Sequence, residues 1–363
     1  MKLKIKSVDY SLMSSSGLFF LVQLIRIYYS CGQQSSKEKG DQVSSPAQRS
    51  CGASDYRFGQ WSPGASDCGI KAQYDHPLTE RCTFRGSQVL DAPHHYADWC
   101  WKPFGCVTEP FSVKDFCRKL GGRGILLVGD SLQHQFFDAL FMQLGTAGQP
   151  LDQWTLERDI MNTTSGGICV GQGGGRLIFL RNDQISVINN TPLYGRNPRN
   201  VYNADWTAIA PMFEIIVLNK GAHYISDNAA FESDTLATAQ WLLKSVDFNK
   251  TQVFFRDTPQ GHPHAVETTV AISEPLLSSP DWLKMDKYEW CHFPHRNKEA
   301  IEIFESILGP FVTILYVSQM TFNRPDGHRQ GVCSAVDNLH YLLPSVVDTW
   351  ILPLFNLMRE AHK

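Results

Sequence analysis

The sequence predicts an α/β fold in which a parallel sheet is flanked by helices and preceded by a disulfide-stapled N-terminal lobe. Short apolar runs typical of buried strands alternate with amphipathic segments of helical period, which is the pattern of parallel sheets with crossover helices. Six of the ten cysteines fall between Cys51 and Cys117, where long apolar periods are few. The length of 363 residues is sufficient to bury a large core in one domain.

The first 50 residues differ in composition from the rest of the chain. Lys2, Lys4 and Lys6 precede an apolar run at 18–25, which Arg26 interrupts. The run is shorter than the about 20 residues that a spanning helix needs, and it fits the apolar region of a signal peptide. We predict a signal anchor or signal peptide over residues 1–32, with its basic end in the cytosol. The polar residues 33–50 have the composition of a flexible stem.

Residues 51–363 are predicted to form the folded domain, with a cysteine-rich lobe over 51–120 and an α/β core over 121–363. In a secretory protein the clustered cysteines would form disulfides, and six of them allow 15 pairings, so their connectivity stays open. Free thiols in a cytosolic protein are the alternative. The paired spacing of a zinc site does not occur among these cysteines. Three glycosylation triplets, at Asn162, Asn189 and Asn249, also favour secretion.

The core begins with a continuous apolar run at 125–128, which predicts a strand covered on both faces. Leu132, Phe136, Ala139, Leu140 and Leu144 follow at helical spacing and predict a helix. Further along, the patterns predict a hairpin of 176–180 with 185–188, buried strands at 214–218, 252–255 and 311–317, and helices around 236–243, 301–308 and from Pro344 onward. The glycine-rich residues 171–175 lack the lysine of a P-loop, and we interpret them as a flexible loop at the cleft.

Ser131 lies where the first core strand turns into its helix, within the sequence Gly129-Asp130-Ser131. Ligands of open α/β sheets bind at the carboxyl ends of strands, which is where this serine falls. At the start of the helix, its own backbone N–H and the positive helix end could stabilise an oxyanion. A Gly-Asp-Ser turn is common, and a helix cap is the alternative role for this serine.

A carboxylate and an imidazole, Asp337 and His340, lie three residues apart near the C-terminus. A serine hydroxyl becomes a nucleophile when a base takes its proton and a third group orients that base. Placed on a turn or a helical start, the two side chains can touch. We therefore predict a catalytic triad of Ser131, His340 and Asp337. The alternatives are a second cap for Asp337 and a surface role for His340.

Several ordered motifs resemble one known family. They are DYRFGQW at 55–61, WCWKPFGC at 99–106, GDSLQHQ at 129–135, LNKGAHY at 218–224, VFFR at 253–256, RPDGH at 324–328, and DNLH at 337–340 with the following Pro344 and Asp348-Thr349-Trp350. Together they are similar to the trichome-birefringence-like polysaccharide O-acetyltransferases, in the SGNH/GDSL-like, PC-esterase group. The resemblance runs from about Cys51 to Met358. Asn338 and Leu342 stand where the family usually has cysteines, and Ala222 is an extra residue.

The resemblance implies an SGNH-hydrolase-like fold and a ping-pong acetyl transfer, in which Ser131 is acetylated and a sugar hydroxyl then takes the acetyl group. The family's triad carries over to Ser131, Asp337 and His340. Oxyanion or substrate contacts are implied for Gly129 and Asp130 and, further along the chain, for Asn219, Gly221 and Arg256, with Arg256 expected to face the cleft. The family also implies a single-pass Golgi protein with a lumenal catalytic domain, and a secreted protein is the alternative.

The expected partners are a polysaccharide acceptor, an acetyl donor as co-substrate, and a membrane at the N-terminal segment. A net charge of −3 gives no indication of nucleic acid binding. No cofactor and no metal are predicted, because His262-Pro263-His264 and Cys291-His292 with His295 lack an identifiable further ligand. An acetyl-ester hydrolase and a non-catalytic polysaccharide-binding protein remain as alternative functions.

Overall fold

The computed structural model describes residues 49–71, 74, 88–89, 97–145, 156–158, 163–187, 202–224, 227–262, 288–329 and 337–361. The strands are β1 (Gly59–Pro63), β2 (Gln88–Val89), β3 (Trp99–Pro103), β4 (Gly124–Gly129), β5 (Leu156–Arg158), β6 (Thr163–Gly167), β7 (Arg176–Arg181), β8 (Ile215–Leu218), β9 (Gln252–Arg256), β10 (Val312–Leu315), β11 (His328–Arg329) and β12 (Asp337–Leu343). The α-helices are α1 (Val113–Leu120), α2 (Ser131–Gly145), α3 (Asn228–Ser245), α4 (Phe293–Leu308), α5 (Ser318–Phe322), α6 (Val346–Thr349) and α7 (Ile351–Leu357).

A seven-stranded sheet in the order β10-β9-β8-β4-β7-β6-β5 forms the centre of the fold. The five strands from β10 to β7 are parallel, whereas β6 and β5 add an antiparallel edge. The prediction of a mostly parallel α/β sheet is thus confirmed. The antiparallel edge was not predicted.

Strand β4 is buried on both faces, as its apolar run predicted. Ile125 and Leu127 pack into one core with α2 and the C-terminal helices. Leu126 and Val128 pack into a second core with α3 and α4. Because side chains alternate along a strand, one continuous apolar run supplies both cores. This arrangement places the carboxyl end of β4 in the middle of the sheet edge.

The hairpin predicted after residue 176 is wrong. β7 pairs with β4 and β6, and residues 185–187 form no strand. The buried Asn182 accepts hydrogen bonds from the backbone N–H groups of Gln184 and Ser186 and donates to the carbonyl groups of Ser186 and Ala204. These local side-chain bonds satisfy the backbone groups that a hairpin ladder would have used.

The glycine-rich residues 171–175 lie at the amino ends of the parallel strands, whereas Ser131 lies at their carboxyl ends. The prediction of a cleft loop is therefore also wrong. They precede β7, whose first residue Arg176 is paired with Gly124 at the amino end of β4. Ser131 follows the carboxyl end of the same strand. The parallel pairing of β4 with β7 therefore separates the two features by the length of a strand.

Disulfides hold the N-terminal lobe together and join it to the core. Cys51 pairs with Cys106, and Cys68 pairs with Cys100, which lies within β3 of the β1–β3 antiparallel pair. The third disulfide among the described residues joins Cys117 of α1 to Cys169 before β7, so Cys117 links the predicted lobe to the core. Cys82 lies outside the described residues, as do the predicted N-terminal anchor and most of the stem.

Candidate active site

The turn from β4 into α2 places Ser131 at the sheet edge. A Cβ atom on Gly129 would lie 2.7 Å from Gln133 Cβ and 2.9 Å from the carbonyl oxygen of Asn219. Glycine therefore lets the end of β4 approach the neighbouring chain closely. Asp130 Oδ1 accepts a hydrogen bond of 2.9 Å from the backbone N–H of Leu132, which secures the first turn of the helix. As the first residue of α2, Ser131 has a backbone N–H without an acceptor inside the helix.

The three predicted triad residues are brought together by the fold. Ser131 Oγ lies 2.7 Å from His340 Nε2, and His340 Nδ1 lies 2.7 Å from Asp337 Oδ2. Because a carboxylate can only accept, His340 carries its proton on Nδ1 and donates it to Asp337. Nε2 is then left to accept the Ser131 hydroxyl proton. This is the geometry of an activated nucleophile.

Asp337 and His340 meet because strand β12 bulges, and not on a helical start. Arg329 of β11 is opposite Asp337, but the next residue back, His328, is opposite Tyr341. Residues 338–340 therefore have no partner in β11 and leave the regular ladder. Asp337 Oδ1 accepts hydrogen bonds from the backbone N–H groups of Leu339 at 2.9 Å and His340 at 3.0 Å. The bulge folds the two side chains onto each other.

Asp337 is a carboxylate at neutral pH. Its partial burial opposes ionisation, but the hydrogen bond from His340, the charge that this imidazole carries when it is protonated, and the two backbone N–H groups outweigh burial, so the pKa of Asp337 is lowered below its ordinary range. A charged Asp337 holds the His340 tautomer that leaves Nε2 free for Ser131, and it can stabilise the imidazolium that forms when His340 takes a proton.

Asn219 does not have the free amide that an oxyanion role would need. Its Nδ2 donates to the carbonyl oxygen of Arg256 at 3.0 Å and to Thr258 Oγ1 at 2.7 Å, which uses both amide protons. Gly221 packs against the same threonine, where a Cβ atom would lie 2.9 Å from Oγ1. In this structure both residues join the carboxyl ends of β8 and β9, and the backbone N–H of Ser131 is the better candidate oxyanion donor.

Arg256 is buried beneath the site, which corrects the expectation that it faces the cleft. It is 0% exposed. Its Nε donates to Gln133 Oε1 at 2.9 Å, and the guanidinium lies 4.7 Å from the ring centre of Trp350. Burial lowers its pKa to about 10, against the opposing charges of Asp130 and Asp257. Arg256 therefore stays charged at neutral pH and compensates the buried carboxylate of Asp130.

Gln135 is a residue that the sequence did not single out. From one turn inside α2, its Nε2 donates to the carbonyl oxygen of Tyr341 at 2.7 Å, and its Oε1 accepts from the backbone N–H of Tyr341 at 3.1 Å. This pair of bonds ties the helix that begins at Ser131 to the strand that carries His340. Only its place in a GDSLQHQ segment distinguished it in the sequence.

Replacing Gln135 with leucine is expected to lower the rate at which Ser131 reacts as a nucleophile by about tenfold or more. Without the two bonds to Tyr341, β12 can shift and move His340 away from Ser131. It should also cost about 1–3 kcal/mol in stability, since two buried backbone groups lose their partners. Gln143→Leu is the matched control. Gln143 lies on the same helix and makes the same paired bonds to the backbone of Lys71, with one further bond of 2.8 Å to Asp348 Oδ1. Equal rates in the two variants at equal stability would contradict the positioning role.

Lys220, which stands between Asn219 and Gly221 in the sequence, has a fully buried side chain. Its Nζ donates to the carbonyl oxygen of Phe231 at 3.1 Å and to Thr235 Oγ1 at 2.8 Å. Burial lowers its pKa to about 7, although Asp234 and Glu299 oppose the shift. Between this value and the ordinary lysine pKa, the unfolded chain binds more protons than the folded one. The contribution of Lys220 to stability therefore rises with pH across this window.

Replacing Lys220 with methionine is expected to remove that dependence. The melting temperature of the variant relative to the native chain should be highest near pH 7 and should fall as the pH approaches 9.5. Lys244→Met changes an exposed lysine of α3 and serves as the control. A difference between variant and native chain that stays constant from pH 7 to pH 9.5 would show that Lys220 is charged in the folded state throughout.

Further polar side chains follow the carboxyl ends of the strands that flank β4. Arg181 closes β7 and donates to Asp183 at 2.8 Å. His223 follows β8 and contacts the ring of Tyr288 edge-on at 5.8 Å between centres. Burial, and after it the charge of Asp337, raises the pKa of the half-buried Tyr288. Polar and aromatic groups thus occur together at these strand ends.

Comparison with known proteins agrees with the resemblance. The chain is 24% identical to trichome birefringence-like protein 42 of Arabidopsis thaliana over 75% of its own length and 81% of that protein. It is 26% identical to protein 7 of the series over 73% of the chain and 65% of that protein, and 24% identical to protein 41 over 77% and 82%. Further matching Arabidopsis proteins carry the same family name.

The chain is a divergent relative of the trichome birefringence-like proteins. No family model matches it. The relationship supports an acyltransferase- or esterase-like enzyme. At identities of 21–26%, the roles of single catalytic residues follow from the geometry of the site.

Proposed function

We propose that this chain is an O-acetyltransferase that moves an acetyl group through Ser131 to a hydroxyl of a cell-wall or secreted polysaccharide. The observation that supports this proposal most is the pair of 2.7 Å contacts that joins Ser131, His340 and Asp337 at the carboxyl end of β4. In a relative of the trichome birefringence-like proteins, a serine with a histidine base and an orienting carboxylate supplies the nucleophile that acyl transfer requires.

In the first half-reaction, Ser131 Oγ gives its proton to His340 Nε2 and attacks the carbonyl carbon of the acetyl donor. The developing oxyanion lies next to the first backbone N–H groups of α2, including that of Ser131. When the tetrahedral intermediate collapses, the bond to the donor's leaving group breaks and His340 returns the proton to that group. The product of this step is acetyl-Ser131.

In the second half-reaction, a sugar hydroxyl gives its proton to His340 and attacks the acetyl carbon. The bond from Ser131 Oγ to this carbon breaks, the proton returns to Oγ, and the acetylated sugar leaves. Water in place of the sugar hydroxyl would make the same site an esterase. Tyr288 and His223, whose rings are in contact, would suit a polyhydroxylated acceptor, because sugars are bound by aromatic and hydrogen-bonding groups together.

We also propose that the catalytic domain works in the lumen of the Golgi, held by the N-terminal segment, with secretion as the alternative. The three disulfides among the described residues support an oxidising compartment. The anchor predicted over residues 1–32 lies outside the described residues. Across the described ranges of the chain, no helix has the length and apolar character needed to cross a membrane.

Mass spectrometry tests the proposal. The purified chain is incubated with an acetyl ester donor, with and without a panel of cell-wall oligosaccharides, and both protein and sugars are weighed. We expect an acetyl group on Ser131 that moves to a sugar. Donor turnover to free acetate that no sugar changes would instead establish an esterase. A folded chain that binds the sugars and never forms an adduct would establish a non-catalytic binding protein.

A further inference from the structure

Two buried histidines lie behind the proposed catalytic histidine, on its main-chain side. His328 is part of β11, and His262 follows β9; they are 0% and 3% exposed. His328 Nδ1 lies 2.9 Å from the carbonyl oxygen of His340, and His328 Nε2 lies 2.7 Å from His262 Nδ1. His262 Nε2 lies 2.6 Å from the carbonyl oxygen of Phe322. Three contacts in series thus connect two carbonyl groups through two imidazoles.

The number of protons on the two rings decides which of these contacts are hydrogen bonds. Each carbonyl oxygen can only accept, and the contact between the rings needs one proton, so all three bonds together need three ring protons. Burial lowers the pKa of His262 to about 4 and that of His328 well below its ordinary value. At neutral pH each ring is therefore neutral and holds one proton. One of the three contacts must then lack a proton.

The surrounding charges favour a proton at the His340 end of the series. Asp337 is the carboxylate nearest to that end. In the state of the triad that can take the proton of Ser131, its partner His340 is a neutral imidazole and leaves the negative charge of Asp337 uncancelled. Near His262 the carboxylate is Asp326, which Arg324 contacts with two bonds of 2.9 and 3.0 Å. An N–H dipole that points towards an uncancelled negative charge is favoured over one that points towards a compensated pair.

Among the described residues, the aromatic rings that contact the two imidazoles carry no charge at neutral pH. Tyr341 stacks on His328 at 4.1 Å between ring centres, and burial raises its pKa well above the ordinary value, so its hydroxyl stays protonated. Phe322 packs against His262. The proton of His328 is therefore best placed on Nδ1, where it donates to the carbonyl oxygen of His340.

The same segment supports the bulge of β12 through its main chain. The backbone N–H of His262 donates to the carbonyl oxygen of Asn338 at 2.8 Å, and the hydroxyl of Tyr341 donates to the carbonyl oxygen of Gln260 at 3.3 Å. A Cβ atom on Gly261 would lie 2.7 Å from the Asn338 oxygen, which shows how closely the two segments pack. His262 and His328 thus contact the bulge at both Asn338 and His340.

We propose that His328, oriented by His262, is a positioning residue that holds the main chain of His340 and so sets the distance from His340 Nε2 to Ser131 Oγ. The contact is direct, because the carbonyl group that His328 binds belongs to the residue whose imidazole faces the serine. This inference rests on the proposed nucleophilic role of Ser131. It adds a residue that takes no part in proton transfer and determines how well the base is placed.

Two substitutions at the same position separate the two ring nitrogens. In His328→Asn the amide nitrogen can occupy about the place of Nδ1 and still donate to His340. In His328→Gln the amide reaches the place of Nε2 and leaves the His340 carbonyl group without a donor. The readout is the rate at which a serine-directed fluorophosphonate labels Ser131, because this rate needs neither acetyl donor nor polysaccharide. Melting temperatures of both variants are measured in parallel.

We expect His328→Asn to label within about threefold of the native rate and His328→Gln to label about 10–100-fold more slowly, the size of effect that a misplacement of about 1 Å produces. Labelling by His328→Gln at the native rate would overturn the proposal, as would equal slowing of both variants in proportion to their loss of stability. A native chain that is not labelled at Ser131 would overturn the proposed nucleophile itself, which is a different outcome.

Nitrogen-15 NMR of the histidine rings in the native chain provides a test that needs no variant to fold. At neutral pH, we expect His328 to carry a proton on Nδ1 and none on Nε2. His328 Nε2 then accepts a hydrogen bond from His262 Nδ1 if that nitrogen is protonated, and makes no hydrogen bond with it if it is not. A proton found on His328 Nε2 would overturn the proposal, because Nδ1 could then not donate to His340.

Discussion

Replacing Ser131 with alanine is expected to lower the rate of acetyl transfer by about 10³-fold or more and to leave the fold intact. The change removes the hydroxyl oxygen that lies 2.7 Å from His340 Nε2, while alanine suits the first turn of α2. Activity is measured as acetate released or sugar acetylated per unit time. Circular dichroism and the melting temperature report whether the fold is retained.

Ser112→Ala is a matched control for this experiment. Ser112 also lies at the start of a helix, where its hydroxyl accepts from the backbone N–H of Asp115 at 3.3 Å, but it caps α1 and not α2. It should lose some stability and keep its rate. Because the triad acts as a unit, Ser131→Ala combined with His340→Ala should be about as slow as either change alone. Substantial activity in Ser131→Ala would remove the serine from the mechanism.

Replacing Asp337 with asparagine is expected to lower the rate by about 10³–10⁴-fold, because it imposes the wrong tautomer on His340. The backbone N–H groups of Leu339 and His340 both point at Oδ1 of Asp337. An asparagine would keep its oxygen there and turn its NH₂ group towards His340 Nδ1. That nitrogen would then have to accept, and Nε2 would carry the proton and could no longer take one from Ser131.

Asp337→Ala distinguishes this tautomer effect from simple loss of an orienting group. Alanine leaves His340 free to adopt either tautomer, so Asp337→Ala should be no slower than Asp337→Asn, although it also loses the two backbone bonds that shape the bulge. The rates of both variants are measured with the same donor from pH 6 to pH 9. An asparagine variant with a rate near the native value would show that Asp337 does not set the protonation of His340.

Much of the fold was predictable because its elements have local signatures. The buried strand at 125–128 and the helix after it follow from a continuous apolar run and a helical period. The helix that ends at Leu308 is followed by Gly309, as its pattern indicated. Strands β5 and β6 were missed because they are short, and one of them reads Thr-Thr-Ser-Gly-Gly, which has no apolar period. The supposed hairpin failed because the side chain of Asn182 took over the local backbone bonds.

For the candidate site, the three residues of the triad were predictable from the sequence, but the residues that hold the triad in place were not. A serine after a buried strand and a carboxylate three residues from a histidine carry a chemical signature in the sequence itself. Gln135 and His328 look like ordinary polar residues there. Their importance comes from bonds to Tyr341 and to the main chain of His340, and Gln135 is 206 positions away from its partner. Arg256 was predicted to face the cleft because no local pattern reveals that Trp350 covers it.

The sequence by itself thus determined the class of fold and the three side chains of the proposed relay, because strand period, helix period and side-chain chemistry are properties of neighbouring residues. Only the tertiary structure decided how those side chains meet. The bulge at 338–340 arises from pairing between β11 and β12. Its position relative to Ser131 depends on hydrogen bonds from Gln135 and His328. Such bonds are short-ranged and directional, and their partners become neighbours only when the sheet, the helix and the C-terminal strand pack together.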